Sequence, residues 1–223
     1  PQSLEQCFAV QNEFVKQMND QVAGWKCLVP VSEEKKIAAP ILASTVTQSL
    51  ECPIIPDLGA ARIEPEIAFV LGKDLPANAN GYSEAEIDNA VASCHMALEL
   101  MQTRFTESSE AEFFERLSDC LMNQGLFIGP ELDKEKAYQA ATIAIKVTQN
   151  GQSKVYDGVH PNELPYKPLH WLIDYMSKRG ISFSKGQAII TGSYAGIIDV
   201  DFEAPCHIEY QGLGDYTISF KAI

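Results

Sequence analysis

The sequence is poor in basic residues and in long apolar runs, and both shortages narrow what the protein can be. Its 17 lysines and arginines stand against 30 aspartates and glutamates, which gives a net charge of −13. Nucleic acid and anionic membranes would be repelled by so acidic a chain. No apolar run approaches the ~20 residues of a membrane span, and no signal-peptide pattern opens the chain. We therefore expect neither a nucleic-acid nor a membrane partner.

The cysteines lack the spacings that would give them a special role. There is no CxxC pair and no zinc-type spacing among Cys7, Cys27, Cys52, Cys94, Cys120 and Cys206. Without a secretion signal, scattered cysteines in a chain of this length are typical of reduced thiols, so we expect a cytoplasmic protein. GxSxG, P-loop and dinucleotide-binding motifs are also missing. The four dispersed histidines (His95, His160, His170, His207) are expected to be structural or exposed.

Hydrophobic periodicity predicts many strands and few helices. The predicted helices cover residues 3–20, 83–94, 108–117 and 166–178, and the predicted strands cover 24–29, 67–71, 96–101, 125–128, 141–148, 153–156, 187–190, 206–210 and 216–222. Residues 33–61 are predicted to be an irregular connection, and Asn150-Gly151 is typical of a type I′ hairpin turn. Without regular βαβ alternation, this pattern favours an α+β fold with a rolled or sandwiched sheet. We expect one domain over residues 1–223, with the helix at 3–20 packed on the sheet.

The strand that contains Glu64 and Glu66 has an unusual charge pattern. Two carboxylates two residues apart lie on the same face of a strand, and here they directly precede the apolar run from Ile67 to Leu71. Like charges next to a buried run repel each other and lose hydration, which a divalent cation would offset. The alternative is a strand that starts at the surface with both side chains in water.

Two further ionisable residues stand inside apolar segments. Glu99 interrupts the run from Met96 to Met101, and Lys26 lies within a short strand where its ammonium needs a partner or a route to solvent. Three carboxylates without clustered His or Cys favour Mg²⁺ or Mn²⁺ over zinc. Such a site suits a 2-oxo acid that chelates the cation, with Lys26 as an acid/base catalyst and the cation stabilising the enolate.

The run from Glu64 to Leu75 also carries a family resemblance. It reads EPEIAFVLGKDL and resembles the E-x-E-I-A-F-V-L-G-x-D-L signature of the 2-hydroxypentadienoate hydratase and 4-oxalocrotonate decarboxylase family, within the fumarylacetoacetate hydrolase superfamily. The similarity continues through nearly the whole chain, in Gly24-Trp25-Lys26, Ala97-Leu98-Glu99-Leu100 with Arg104, Trp171-Leu172, Lys185-Gly186-Gln187 and Thr191-Gly192-Ser193.

The resemblance implies a mixed β-sandwich roll with flanking helices, of the type of the fumarylacetoacetate hydrolase C-terminal domain. It implies Mg²⁺ or Mn²⁺ at Glu64, Glu66 and Glu99, acid/base work for Lys26, and a 2-oxo or 2-hydroxydienoic acid as substrate. It also implies substrate contacts from Arg104, Asn123, Thr191 and Ser193. The activity it implies is the hydration of a 2-hydroxy-2,4-dienoate in aromatic catabolism. A homo-oligomer is expected, and a complex with a related decarboxylase or hydratase is a further expectation.

Three segments depart from the family pattern. The family usually has I-G-L-T-S where this chain has Cys27 to Val31, and acids around a proline where it has Ile37 to Leu42. A D-N-A-S-S-G segment of the family is replaced by residues 119–125. Three alternatives therefore stay open: decarboxylation of a 4-oxalocrotonate-like acid, C–C hydrolysis of an acylpyruvate, and a metal-binding partner subunit without catalysis.

Overall fold

The computed structural model describes residues 1–30, 32, 35–106 and 110–223, and the following statements concern these residues. Their helices are α1 (Leu4–Met18), α2 (Glu84–Asp88), α3 (Phe113–Ser118), α4 (Lys134–Tyr138) and α5 (Tyr166–Ser177). Their strands are β1 (Val22–Leu28), β2 (Ile37–Leu42), β3 (Val46–Thr47), β4 (Glu51–Ile54), β5 (Ala61–Leu71), β6 (Val91–Met101), β7 (Asn123–Leu132), β8 (Thr142–Gln149), β9 (Gln152–Val159), β10 (Ala188–Ile190), β11 (Ile198–Val200), β12 (Cys206–Tyr210) and β13 (Gly214–Ala222).

The strands form two mixed sheets, which confirms the predicted α+β class. The larger sheet has the order β2-β1-β10-β5-β6-β7-β3, with β11 also paired to β5. The smaller sheet has the order β4-β13-β12-β8-β9. Tyr210 joins the two sheets, since its buried hydroxyl lies 2.8 Å from the Ala97 carbonyl and 3.1 Å from the Glu66 carbonyl. The core between the sheets therefore reaches the backbone of the strands that carry the acidic residues.

The two faces of the long central strand β5 have different surroundings. Ile63, Ile67 and Phe69 of β5 belong to the main hydrophobic core. Because side chains alternate along a strand, Glu64 and Glu66 share the opposite face with Ala68, which packs in a smaller apolar cluster. The members of that cluster are Ile41, Ala68, Ala97, Leu126, Ala188 and Ile190. The carboxylates therefore lie beyond the end of this second, narrower core.

Local sequence signals explain several elements. The Ser3 side chain caps α1 by accepting a hydrogen bond from the Gln6 amide. Gln11 attaches α1 to its neighbours, because its side-chain amide donates to the carbonyls of Leu117 (2.7 Å) and Ala38 (3.3 Å). Asn150 and Gly151 both have positive φ, as the predicted type I′ hairpin between β8 and β9 requires.

The prediction of an irregular connection over 33–61 is wrong for most of its length. The structure forms β2, β3 and β4 there, while residues 33 and 34 lie outside the described part of the chain. Two of the three prolines that suggested irregularity, Pro40 and Pro53, occupy β2 and β4, which are end strands of their sheets. A proline is tolerated at such an edge because its missing N–H costs no ladder hydrogen bond.

Two predicted helices also have different bounds. The helix expected to run through Cys94 ends at Asp88, because residues 91–94 belong to β6 and pair with β5 and β7. The helix expected over 108–117 corresponds to α3, which begins at Phe113, while residues 108 and 109 lie outside the described range. In the part of the chain that the structure describes, no helix combines the length and apolar character needed to cross a membrane.

Candidate metal centre

Three glutamates from two neighbouring strands converge on one point. Glu64 and Glu99 are direct cross-strand partners in the antiparallel pair of β5 and β6, and Glu66 lies two residues further along β5. One carboxylate oxygen from each residue lies within 4.8 Å of the others. Glu66 and Glu99 are only 2% and 1% exposed, and Glu64 is partly buried. The alternative of a solvated glutamate pair is therefore wrong for Glu66.

Lys26 completes the cluster from β1. This strand lies between β2 and β10, so Lys26 is not at a sheet edge from which its side chain reaches solvent. Its ammonium donates to Glu99 Oε1 at 2.5 Å and to the Leu121 carbonyl at 3.2 Å. An ammonium has three N–H bonds, so one remains for another oxygen.

Hydrogen bonds fix the orientation of both buried carboxylates. The Asn123 side-chain amide donates to Glu99 Oε1 at 2.8 Å, the same oxygen that Lys26 uses. The backbone N–H of Gly192 donates to Glu66 Oε2 at 2.6 Å. Because each set of donors engages one oxygen, the second oxygen of each carboxylate is available to bind a cation.

Burial and mutual repulsion make Glu64 and Glu66 hold their protons more tightly when no cation is bound. Burial raises the pKa of Glu64 to about 7, with a further increase from the charge of Glu99. Burial, together with Glu99 and Glu64, raises the pKa of Glu66 well above its usual range. Burial alone would lower the pKa of Lys26, but the neighbouring carboxylates, Glu99 above all, raise it. Lys26 is therefore a charged ammonium at neutral pH.

The donor set fits a hard divalent cation. With all four groups ionised, three carboxylates and one ammonium leave two negative charges uncompensated. Two oxygens bound to one Mg²⁺ are at most roughly 4 Å apart, so a separation below 4.8 Å needs only a small side-chain adjustment. Carboxylate oxygens are also the ligands that Mg²⁺ and Mn²⁺ prefer. Glu64, Glu66 and Glu99 are thus suited to hold the cation predicted from the sequence.

The other predicted site residues lie near the cluster in different ways. Thr191 is fully buried, and its hydroxyl has no hydrogen-bond partner among the described residues. Ser193 lies one residue beyond Gly192, and its hydroxyl accepts from the Ala195 amide at 3.3 Å. Arg104 donates to Asp119 and to the Asn123 carbonyl, and it lines a cavity of about 530 Å³ together with Asn123. None of these contacts tests a role in substrate binding, which stays a prediction.

Two groups of the site could not be predicted as such from the sequence, because they are backbone atoms. The Leu121 carbonyl binds Lys26, and the Gly192 N–H binds Glu66. A carbonyl has no sequence signature, whereas Gly192 and Gly196 are typical of a loop in which the backbone comes close to a neighbouring group. Both glycines have positive φ (123° and 65°), and a side chain at Gly192 would collide with Leu28 and Pro161.

The metal-free protein is expected to lose stability as the pH rises from about 4.5 to about 7. Glu64 holds its proton more tightly in the folded state, with a pKa near 7 against an ordinary value of 4.5. Stability is therefore fully present below the unfolded pKa and falls as the pH passes the folded one, by roughly 2–3 kcal/mol. Urea unfolding in a chelator at about pH 5, 6, 7 and 8 measures this change.

Mg²⁺ should reverse that trend, because a bound cation stabilises the ionised carboxylates. Glu64→Gln should weaken the pH dependence without removing it, since Glu66 still titrates. The explanation fails if metal-free stability rises between about pH 5 and 7, or if Glu64→Gln leaves the curve unchanged.

The family of the chain follows from a match over most of its length. The fumarylacetoacetate (FAA) hydrolase C-terminal family matches residues 11–216, a range that includes Lys26, the three glutamates and the loop after β10. The chain therefore belongs to this family, as the motifs around Glu64 and Glu99 predicted.

Similar proteins include hydratases and a decarboxylase. A 2-keto-4-pentenoate hydratase of Paraburkholderia phymatum is 25% identical over 161 residues, which are 72% of this chain and 60% of the relative. A 2-oxo-hept-4-ene-1,7-dioate hydratase of Escherichia coli is 25% identical over 167 residues, with 71% and 61% covered. The matched part of the chain thus spans about 60% of the length of these curated relatives.

The fold is that of a solved decarboxylase. The structure of 4-oxalocrotonate decarboxylase from Pseudomonas putida G7, complexed with magnesium and adipate, superposes with a TM-score of 0.71 at 16% identity. The superposition covers 94% of this chain and 82% of the decarboxylase. It confirms the predicted roll of mixed sheets with flanking helices.

Proposed function

We propose that the protein is a divalent-metal-dependent lyase that hydrates a 2-hydroxy-2,4-dienoate or its 2-oxo-4-enoate tautomer. The observation that carries the proposal is the convergence of Glu64, Glu66 and Glu99 within 4.8 Å, with the Lys26 ammonium in contact with Glu99. The hydratases among its relatives support the same class of substrate.

Each group of the cluster has a distinct part in the proposed reaction. Glu64, Glu66 and Glu99 would hold Mg²⁺ or Mn²⁺, which when bound supplies a Lewis acid for the carboxylate and 2-oxo oxygens of the substrate. Lys26 is charged and has one N–H beyond those given to Glu99 and Leu121, so we assign it the proton transfer to carbon when the dienol ketonises and its 2-hydroxyl proton is released. Water then supplies the hydrogen and the hydroxyl that add across the remaining C=C bond. Thr191 and Ser193 are proposed to contact the substrate from the loop that carries Gly192.

A histidine-assisted hydrolase is a weaker explanation of the site. C–C hydrolysis of an acylpyruvate generally uses a histidine–carboxylate pair to activate water. Among the described residues, the histidines within ion-pair distance of carboxylates are His170, near Asp88 and Glu84, and His207, near Asp215. Neither pair includes a glutamate of the cluster.

A specific observation favours one other candidate, a metal-binding partner subunit that does not hydrate. Ala39 is the β2 residue opposite Lys26, and it lies in the segment from Ile37 to Leu42 that departs from the family pattern described above. A methyl group there cannot exchange protons with Lys26 or with water. Such a subunit would bind the metal ion but would not catalyse the hydration.

Calorimetry with the metal and then with the substrate separates these candidates. A hydratase should bind Mn²⁺ and then consume 2-hydroxypenta-2,4-dienoate, seen as loss of the dienol absorbance and a heat of reaction. Binding of Mn²⁺ without turnover on this or other 2-oxo acids would support the partner subunit. A protein that binds no Mn²⁺ would contradict both proposals.

A further inference from the structure

The segment that touches both Lys26 and Asn123 has an unusual backbone. Cys120, Leu121 and Met122 are three successive residues with φ of 55°, 52° and 67°, in the left-handed region that non-glycine residues avoid. None of the three is a glycine, so this backbone conformation is strained and is maintained by the surrounding structure. Such conformations concentrate at functional sites.

Arg104 holds both ends of this turn with three hydrogen bonds. On the N-terminal side its Nε donates to the Asp119 carboxylate at 2.8 Å, and Nη2 donates to the Asp119 carbonyl at 2.6 Å. On the C-terminal side Nη1 donates to the Asn123 carbonyl at 2.8 Å. A guanidinium presents its donors in a rigid fork, which allows it to bridge residues on the two sides of the turn.

Three further contacts support the turn. The Gln102 amide donates to the Met122 carbonyl at 2.8 Å. The Leu121 side chain packs against the apolar cluster of Leu4, Cys7 and Leu117, which joins α1 to α3. The third is internal, since the Asn123 backbone N–H donates to the Cys120 carbonyl and closes the turn. Arg104 is the side chain that bridges the two flanking residues, Asp119 and Asn123.

This turn orients Lys26 and Glu99, two groups of the metal centre. The Leu121 carbonyl accepts a hydrogen bond from the Lys26 ammonium, and the Asn123 amide donates to Glu99 Oε1. A change in the turn would therefore move the partner of the proton donor and the partner of a cation ligand together. The hydrogen bonds of Arg104 go to Asp119 and Asn123, so its effect on Lys26 and Glu99 passes through the turn.

We propose that Arg104 is a positioning residue that locks the left-handed turn at 120–122 and thereby sets the geometry of Lys26 and Glu99. The proposal rests on the proposed function, since it assigns a role within the same metal centre. It differs from a direct contact between Arg104 and a substrate carboxylate, which the cavity lined by Arg104 also allows. The two roles predict different effects when no substrate is present.

Mn²⁺ affinity measured without substrate is the first test. Arg104→Gln and Arg104→Lys should both weaken Mn²⁺ binding about tenfold, in the range known for residues that orient metal ligands. The lysine variant keeps the charge but not the fork, so it should rescue little. Arg179→Gln is the matched control, because this arginine follows α5, donates to the Tyr175 carbonyl within that helix, and should leave the affinity unchanged when replaced.

The Asn123 side-chain amide gives a second test that requires no metal. Its two ¹⁵N–¹H resonances, identified by their loss in Asn123→Asp, should shift in metal-free Arg104→Gln and stay in place in Arg179→Gln. Asp119→Ala removes the side-chain contact of Arg104 Nε and should cause a smaller shift of the same sense. It keeps the test available if Arg104→Gln does not fold cooperatively.

The outcomes separate the two proposals. Shifted Asn123 resonances in a protein that binds no Mn²⁺ would support the positioning role and overturn the proposed metal centre. Wild-type affinity and unshifted resonances in Arg104→Gln would overturn the positioning role. If KM for the dienoate also rose without a change in kcat, Arg104 would instead contact the substrate.

Discussion

Glu66→Gln is expected to abolish Mg²⁺ and Mn²⁺ binding while it stabilises the metal-free protein. Glu66 is nearly fully buried, and burial with the charges of Glu99 and Glu64 raises its pKa well above normal. An amide of the same shape still accepts the Gly192 N–H but carries no charge, so it removes both a cation ligand and a source of repulsion. The same substitution therefore acts in opposite directions on binding and on stability.

The dissociation constant for Mn²⁺ should rise more than about 100-fold, since a ligand is lost outright. The melting temperature in a chelator at about pH 8 should rise by roughly 5 °C, which corresponds to about 2 kcal/mol for a chain of this size. Glu131→Gln is the matched control, because it removes the same charge from an exposed position on β7. Wild-type Mn²⁺ affinity in Glu66→Gln, or a lower melting temperature, would contradict this account.

Lys26→Met is expected to separate metal binding from turnover. The substitution keeps the length of the side chain and removes the ammonium that donates to Glu99. Turnover of the dienoate should fall roughly 10²- to 10⁴-fold, the usual effect of losing a general acid. Mn²⁺ should bind as tightly as before or more tightly, since the cation no longer competes with a positive charge for the glutamates.

Steady-state kinetics at saturating Mn²⁺ and a Mn²⁺ titration measure the two effects on the same preparation. Lys73→Met is the control, since this lysine is exposed in the loop after β5 and should show wild-type values in both. Unchanged turnover in Lys26→Met would remove Lys26 from the reaction. Loss of metal binding together with turnover would mean that the lysine only maintains the site.

The acidic centre was predictable because its residues conflict with their surroundings. Glu64, Glu66, Glu99 and Lys26 are ionisable groups in apolar strands, and such groups need partners wherever the chain buries them. Sequence spacing placed Glu64 and Glu66 on one face of β5, whereas the pairing of Glu99 with Glu64 depends on the register of β5 and β6. The resemblance to a known family supplied that second step.

Other parts of the structure leave little trace in the sequence. The turn at 120–122 has no glycine to mark its positive φ values, and its contacts with Arg104 and the Leu4–Cys7–Leu117 cluster join residues that are distant in the sequence. β2 was missed because Pro40 interrupts its pattern, and an end strand tolerates that residue. A single domain over residues 1–223, a homo-oligomer, and a complex with a related enzyme stay predictions.

An anomalous diffraction experiment on crystals soaked with Mn²⁺ and oxalate tests the central claim most directly. Oxalate reproduces the two chelating oxygens of a 2-oxo acid, and manganese gives an anomalous signal that no protein atom of the site imitates. We predict one strong peak in contact with Glu64, Glu66 and Glu99, with oxalate bound to it on the side of Lys26. No peak there, or a peak that engages other residues, would contradict the assignment of this cluster as the metal centre.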